Sequence, residues 1–315
     1  MSEIERAVAA LRRGGLVAFP TETVYGLGAD ASDPGALHHL YAVKRRPLDH
    51  PVIVHVGARA DLGDYALAVP ELAGRLAAAF WPGPLTLVLR RRPDRIAPAA
   101  TGGRATVGLR VPAHPLALAL LDAFDGAIAA PSANRFGKVS PTTADHVRAD
   151  LGSDVDVVLD GGPCRVGVES TIVDLTGAEP AVLRVGGVPA ERLEAVVGRP
   201  LEHRTAGEVA APGTLASHYA PRARVEVVAR GDVEASIAAH RAAGHRVALL
   251  ALGAPVVDGT LVLESPRDVE EYARVLYARL RQADEEGVDV VVAVPPPDGG
   301  LGRAVADRLR RAAAG

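Results

Sequence analysis

Short aliphatic and β-branched runs, none longer than eight residues and each closed by glycine, proline or a polar turn, recur along this chain and set what it can fold into. LVAFP (16–20), PVIVHV (51–56), LTLVLR (85–90), TVGLRVP (106–112), AIAAPSAN (127–134), DVVLDGG (156–162), STIVDL (170–175) and AVLRVGG (181–187) have the length and composition of buried strands. Between them, helical spacing is found in a first segment carrying Ile4, Val8 and Leu11, then at 34–43, in PELAGRLAAAFWPG (70–83), closed by Pro-Gly, and at 115–124, 142–151 and 189–196. Strand and helix alternate irregularly, so the expectation is α/β with a mixed sheet rather than a regular doubly wound one. No run approaches the ~18 apolar residues of a membrane span, and MSEIERAVAALRRGG has no signal-type apolar segment. The expected location is cytoplasmic.

Residues 199–223 break the pattern. They are rich in Gly, Pro and small side chains, carry no two- or 3.6-residue period, and read as a long linker. Beyond them the alternation is regular, with strands at 224–230, 246–252, 260–264 and 288–295 and helices at 232–243, 266–283 and 301–313. That is a compact, parallel α/β unit. It has neither G-x-G-x-x-G nor a Walker A motif, so nothing marks a nucleotide site of its own. The division expected is 1–198, a linker 199–223, and 224–315.

The chain has 315 residues, of which aromatics are only 3%, so the cores must be built from Val, Leu, Ile and Ala. One cysteine, Cys164, excludes a disulfide framework and a multi-cysteine zinc site. Residues 1–200 hold 21 Lys and Arg against 22 Asp and Glu, which gives sequence-independent nucleic-acid binding no electrostatic support. Among 35 basic residues only Lys44 and Lys138 are lysine. In so arginine-rich a chain a lysine can mark a place that needs a compact ammonium.

Several stretches could carry chemistry. PTETVYGLGAD (20–30) crowds Thr21, Thr23, Tyr25, Gly26 and Gly28 at a strand end, where α/β folds place ligands; an ordinary turn with glycines at positive φ fits equally well. Lys44-Arg45-Arg46-Pro47 sets three cations side by side, a phosphate site or, more simply, a solvated turn. His55 lies inside a strand, a core or edge position unless something else points to a role. Arg110 and Arg184 sit in apolar strands with no acidic neighbour in sequence, so each must meet a carboxylate or phosphate. PSANRFGKVSP adds Ser132, Asn134 and Ser140, while RRRPDR (90–95) reads as solvated surface.

Taken in order, PTETVYGLG, Lys44-Arg45-Arg46-Pro47, FWPGPLTLVL, TVGLRVP, APSAN, STIVDL, LRVGG and HYAP resemble the YrdC-like L-threonylcarbamoyladenylate synthases over residues 5–222. The later unit is similar to the C-terminal domain of that family's long form. The resemblance implies a YrdC-like mixed twisted sheet with a large cavity, plus a smaller Rossmann-like α/β domain. It implies a nucleotidyltransferase that joins ATP, L-threonine and bicarbonate into threonylcarbamoyl-AMP, releasing pyrophosphate, for threonylcarbamoyladenosine in tRNA. By this similarity Thr23, His55, Arg110, the Ala130 backbone and Ser170 would contact L-threonine, with Arg110 on its carboxylate. Lys44, Arg46, His50, Thr106, Ser132, Asn134, Ser140, Arg184 and Tyr219 would contact ATP, which brings Mg²⁺ without protein ligands for it. The product would pass to a tRNA threonylcarbamoyl transferase machinery. Residues 199–223, too long for a simple connection and carrying HYAP, read as a lid that closes over the nucleotide; the alternative is a passive tether with Tyr219 packed on the second domain. His50 stands where the family often has Asn, and the linker reads PGTLASHYAP without the usual Met. Two other readings compete: a non-catalytic RNA-binding or translation factor of the same fold, and carbamoyl transfer in hydrogenase maturation. The second needs zinc-binding cysteine clusters that this chain lacks.

Overall fold

The computed structural model describes residues 1–204, 219–253 and 259–315. Two units emerge from it. The first comprises Met1–Phe136, Pro141–Arg165 and the chain from Glu169; the second comprises Gly137–Ser140, Val166–Val168 and the C-terminal part to Gly315.

The first unit opens with α1 (Glu3–Arg12), whose start is fixed by a reciprocal Ser2–Glu5 capping box. β1 (Val17–Phe19), β2 (Gly26–Asp30), α2 (Pro34–Lys44) and β3 (Ile53–His55) follow. Then come α3 (Leu62–Tyr65), β4 (Ala66–Leu67), α4 (Glu71–Phe80), β5 (Leu85–Arg91), β6 (Thr106–Arg110), α5 (Pro115–Phe124) and β7 (Ile128–Ala129). α6 (Ala144–Leu151), β8 (Val157–Val158), β9 (Thr171–Asp174), β10 (Ala181–Arg184), α7 (Ala190–Val197) and β11 (Glu202–His203) complete it. Among the described residues these strands form one eleven-stranded sheet, ordered β11-β10-β9-β5-β6-β3-β7-β2-β1-β8 with β4 beside β5. Parallel pairs (β3/β6, β5/β9, β1/β8) alternate with antiparallel ones (β5/β6, β3/β7, β9/β10), the mixed sheet expected.

One expectation is corrected here. Residues 26–30 form a strand, not a glycine loop, and neither Gly26 nor Gly28 has a positive φ. Their glycines serve close packing instead: a Cβ at Gly28 would lie 2.8 Å from the Ile128 side chain and 2.9 Å from Phe19. The strand has no β-branched residue, so propensity alone could not reveal it.

Strand alternation then sorts the side chains. Val52, Val54, Leu87, Leu89, Val107, Leu109, Val173 and Val182 belong to the main core on one face. The opposite face of the same strands carries a small apolar cluster of Ile53, Val88, Ile172 and Leu183. His55 and Arg110 stand in the same alternation as that cluster. The far end of the sheet, with Val17, Phe19 and Ile128, packs with α1 and α5 residues.

The second unit holds β12 (Arg224–Val227), α8 (Val233–Ala242), β13 (Val247–Leu250), β14 (Leu261–Val262), α9 (Val269–Glu285), β15 (Val290–Ala293) and α10 (Gly302–Ala313). Its strands pair in parallel in the order β12-β15-β13-β14. No described helix is long and apolar enough to cross a membrane.

Candidate active site

Register brings the sequence-selected residues of the first unit into one line across the sheet. His55 is the partner of Arg110 across β3/β6, and Ile172 is the partner of both Thr86 and Arg184. A bulge between Val182 and Arg184 shifts the register there. Such an extra residue re-aims a side chain. Arg184 thus reaches Ser170, donating from Nε and Nη2 to its carbonyl (3.1 and 2.9 Å) and from Nη2 to its Oγ (3.1 Å). Ser170 Oγ in turn shares a hydrogen bond with Thr86 Oγ1 at 2.8 Å.

Arg110 is buried, and the partner sought for it lies in the threonine-rich loop before β2. Its Nη2 donates to Glu22 Oε1 at 2.7 Å and to Thr23 Oγ1 at 2.8 Å, while Nε donates to the Gly83 carbonyl at 3.3 Å. Thr23 Oγ1 also meets Thr21 Oγ1 at 2.8 Å, and Thr21 Oγ1 donates to the Val24 carbonyl. His55 is 3% exposed, with no hydrogen-bond partner for Nδ1. Burial, and then the Arg110 charge, push its pKa down to about 3, so the ring is neutral at physiological pH. Ala130 donates its own N–H to the Ile53 carbonyl at 2.8 Å.

Two of the three cations in the basic turn are buried, contrary to the simpler expectation, while Arg45 is exposed. Lys44 ends α2 and is 1% exposed. Arg45 then takes a left-handed conformation (φ 53°) as helix cap, and Arg46 is again buried. Lys44 Nζ donates to the carbonyls of Ser132 and Asn134, both at 2.5 Å. Burial, then the nearby Arg46, hold its ammonium well below the ordinary lysine range. Arg46 donates to the carbonyls of His50 (3.3 Å) and Pro51 (2.9 Å) and lies over the Phe136 ring at 5.4 Å. The His50 ring meets the same phenyl edge-on at 5.5 Å, and burial lowers its pKa. Asn134 Nδ2 donates to the Arg135 carbonyl, and Thr106 begins β6, half-buried.

Other expectations shift. Ser140 and Tyr219 fall in the second unit. Tyr219, expected over a nucleotide, is 1% exposed, stacked on Tyr277 with centroids 5.5 Å apart and covered by the Arg308 guanidinium at 5.2 Å. That packing holds the ring inside the second unit in this structure. Most of the expected lid, residues 205–218, lies outside the described residues. The Tyr25 phenol binds the Gly162 carbonyl at 2.8 Å and is pushed up to about 12 by burial, a structural tie. The run 90–95 is largely solvated, as expected, with Arg90, Pro93, Asp94 and Arg95 exposed, while Arg91 donates to the Ile96 carbonyl at 2.7 Å.

Three contributors escaped the sequence reading. Glu22 was flanked by the two singled-out threonines, Thr86 interrupted an apolar strand on alternate spacing, and Phe136 was one of only four phenylalanines in an aromatic-poor chain.

A line of His55, Arg110 and Arg184 across the sheet, bonded to Thr23 and Ser170, in a unit that also buries Lys44 and Arg46, defines an α/β protein built to hold small charged ligands. The Sua5–YciO–YrdC family model, described as "Telomere recombination", matches residues 9–186, and a "Threonylcarbamoyl-AMP synthase, C-terminal domain" model matches 188–314. The threonylcarbamoyl-AMP synthase of Pyrococcus abyssi is 43% identical over 98% of this chain and 94% of its own length. That of Bacillus subtilis is 41% identical over 99% and 93%. A crystal structure of P. abyssi Sua5 complexed with L-threonine superposes with a TM-score of 0.92 at 43% identity, covering 99% of this chain and 95% of that one. The chain belongs to the Sua5–YrdC family, in its two-domain form.

Proposed function

We infer that this protein is a threonylcarbamoyl-AMP synthase, an ATP-using nucleotidyltransferase that acts on L-threonine. The observation that carries the reading is the buried Arg110, held by Thr23 beside a neutral His55 on a sheet face that also presents Ser170 and Arg184. Arg110 would take the threonine carboxylate through Nη1, the guanidinium nitrogen left over by Glu22, Thr23 and Gly83. His55, the Ala130 carbonyl and Ser170 offer polar contacts to the ammonium and hydroxyl. Lys44, Arg46, Thr106, Ser132, Asn134 and Arg184 would receive ATP, with His50 and Phe136 beside Arg46. The resemblance adds Ser140 and Tyr219, residues of the second unit, to the nucleotide set.

The chemistry needs no protein nucleophile. The neutral threonine amine adds to the carbon of carbon dioxide and loses a proton, giving a carbamate; from bicarbonate the same carbamate forms as a C–O bond breaks and water leaves. A carbamate oxygen then attacks the α-phosphorus in line, and the bond to pyrophosphate breaks. Positioning and charge neutralisation suffice for such a displacement. Among the described residues no three His, Cys, Asp or Glu stand together as a metal site. Mg²⁺ would enter on the phosphates of ATP, beside the buried Lys44 and Arg46. We place the protein in the cytoplasm and its product with a tRNA threonylcarbamoyl transferase.

Pyrophosphate release from ATP, Mg²⁺ and bicarbonate with a panel of amino acids tests the reading. Release should require both threonine and bicarbonate; release independent of either overturns it.

A further inference from the structure

We propose that Glu22 is the positioning residue of the amino-acid half of the site: it aims Arg110 and balances its charge. The proposal rests on Arg110 being the partner of the threonine carboxylate. Glu22 lies between Thr21 and Thr23, is 3% exposed, and uses both oxygens. Oε1 accepts from Arg110 Nη2 at 2.7 Å, and Oε2 accepts from the Ala113 N–H at 2.8 Å in the loop after β6.

A guanidinium is planar, so fixing two of its nitrogens fixes the direction of the third. Gly83 holds Nε, and Glu22 with Thr23 holds Nη2. Nη1 is thereby aimed, with no protein group bonded to it among the described residues. The electrostatic consequence is equally specific. A buried arginine without a counter-charge is strongly destabilising, whereas the Arg110–Glu22 pair is neutral overall. A neutral pair suits a zwitterion, whose carboxylate needs one oriented donor and whose ammonium would be repelled by a bare arginine. Glu22 also sets Thr23, because both bind the same Nη2. The carboxylate does not touch the reacting atoms; it acts through Arg110.

Glu22→Gln separates shape from charge. Whichever way the amide turns, its NH₂ faces a donor, either Arg110 Nη2 or the Ala113 N–H, so one contact becomes repulsive. The expected result is a threonine KM raised about 10-fold or more, the scale of a lost charged hydrogen bond, with the ATP KM changed less than about 3-fold. Glu22→Asp keeps the charge with a shorter reach and should fall in between. In an Arg110→Ala background Glu22→Gln should cost less than about 2-fold more, since residues acting through one another are not additive. Folding is checked by circular dichroism and melting temperature. A wild-type threonine KM in Glu22→Gln, equal rises for ATP and threonine, or full additivity with Arg110→Ala would overturn the proposal. So would loss of folding in both Glu22 variants while Arg110→Ala folds. Threonine-independent turnover by the wild type would instead sink the functional reading, and calorimetric threonine binding to the same variants then decides Glu22 separately.

Discussion

Arg110 and Lys44 are both buried cations of the first unit, and they are stabilised in opposite ways. Arg110 meets a carboxylate from 88 residues away in sequence, so its surroundings are close to neutral before any ligand arrives. Lys44 is held by two backbone carbonyls, and no carboxylate bonds it. Carbonyl dipoles offset only part of the desolvation of an ammonium, which is why its pKa falls. The difference sorts the ligands. A compensated cation suits a zwitterion, whereas an uncompensated one gains most from a polyanion such as a nucleotide triphosphate.

The amino-acid half should discriminate most sharply. Valine fills threonine's volume but leaves buried polar groups unpaired, so threonine should be favoured by more than the ~10–200-fold that a methylene supplies. Competitive pyrophosphate-release assays measure the ratio, and parity would remove the distinction between the two halves. For the anion half, Lys44→Met should lower kcat/KM for ATP roughly 10–150-fold, the range of a lost charged hydrogen bond, with threonine binding unchanged. An equal loss of threonine affinity would merge the two clusters into one.

His55 sharpens the other side of the comparison through acid stability. Its pKa is about 3 in the folded protein against the ordinary 6.5. Below pH 6.5 the unfolded chain takes up a proton that the folded one refuses, so stability present above 6.5 is lost as pH falls toward 3. At pH 4.5 the loss is about 2–3 kcal/mol. Urea unfolding at pH 7 and 4.5 should show a smaller difference in His55→Gln. The smallest effect belongs to Arg91, outside both clusters. Arg91→Ala should cost about 1 kcal/mol of stability, for its bond to Ile96, and leave turnover unchanged.

Much of this was legible in the chain. Helix and strand positions followed from periodicity, and the eight ordered motifs pointed to the residues that β3, β6, β9 and β10 bring into one line. Glu22 was not legible as a partner, because a contact across 88 residues leaves no local trace. Strand β2 was hidden for a related reason: its glycines answer to Phe19 and Ile128, residues of other strands. The burial of Lys44 and Arg46 is not legible in the sequence, because adjacent charges are usually hydrated. The cap at Arg45 instead directs its neighbours inward.

By itself, then, the sequence determined most of the elements, the two-part organisation and the residue types available for chemistry, since these depend on patterns a few residues long. Only the tertiary structure decided which cation receives a carboxylate, which keeps carbonyls alone, and that Tyr219 packs under Arg308 with Tyr277. Those outcomes depend on which distant strands share a sheet face, and on the cost of burying charge there.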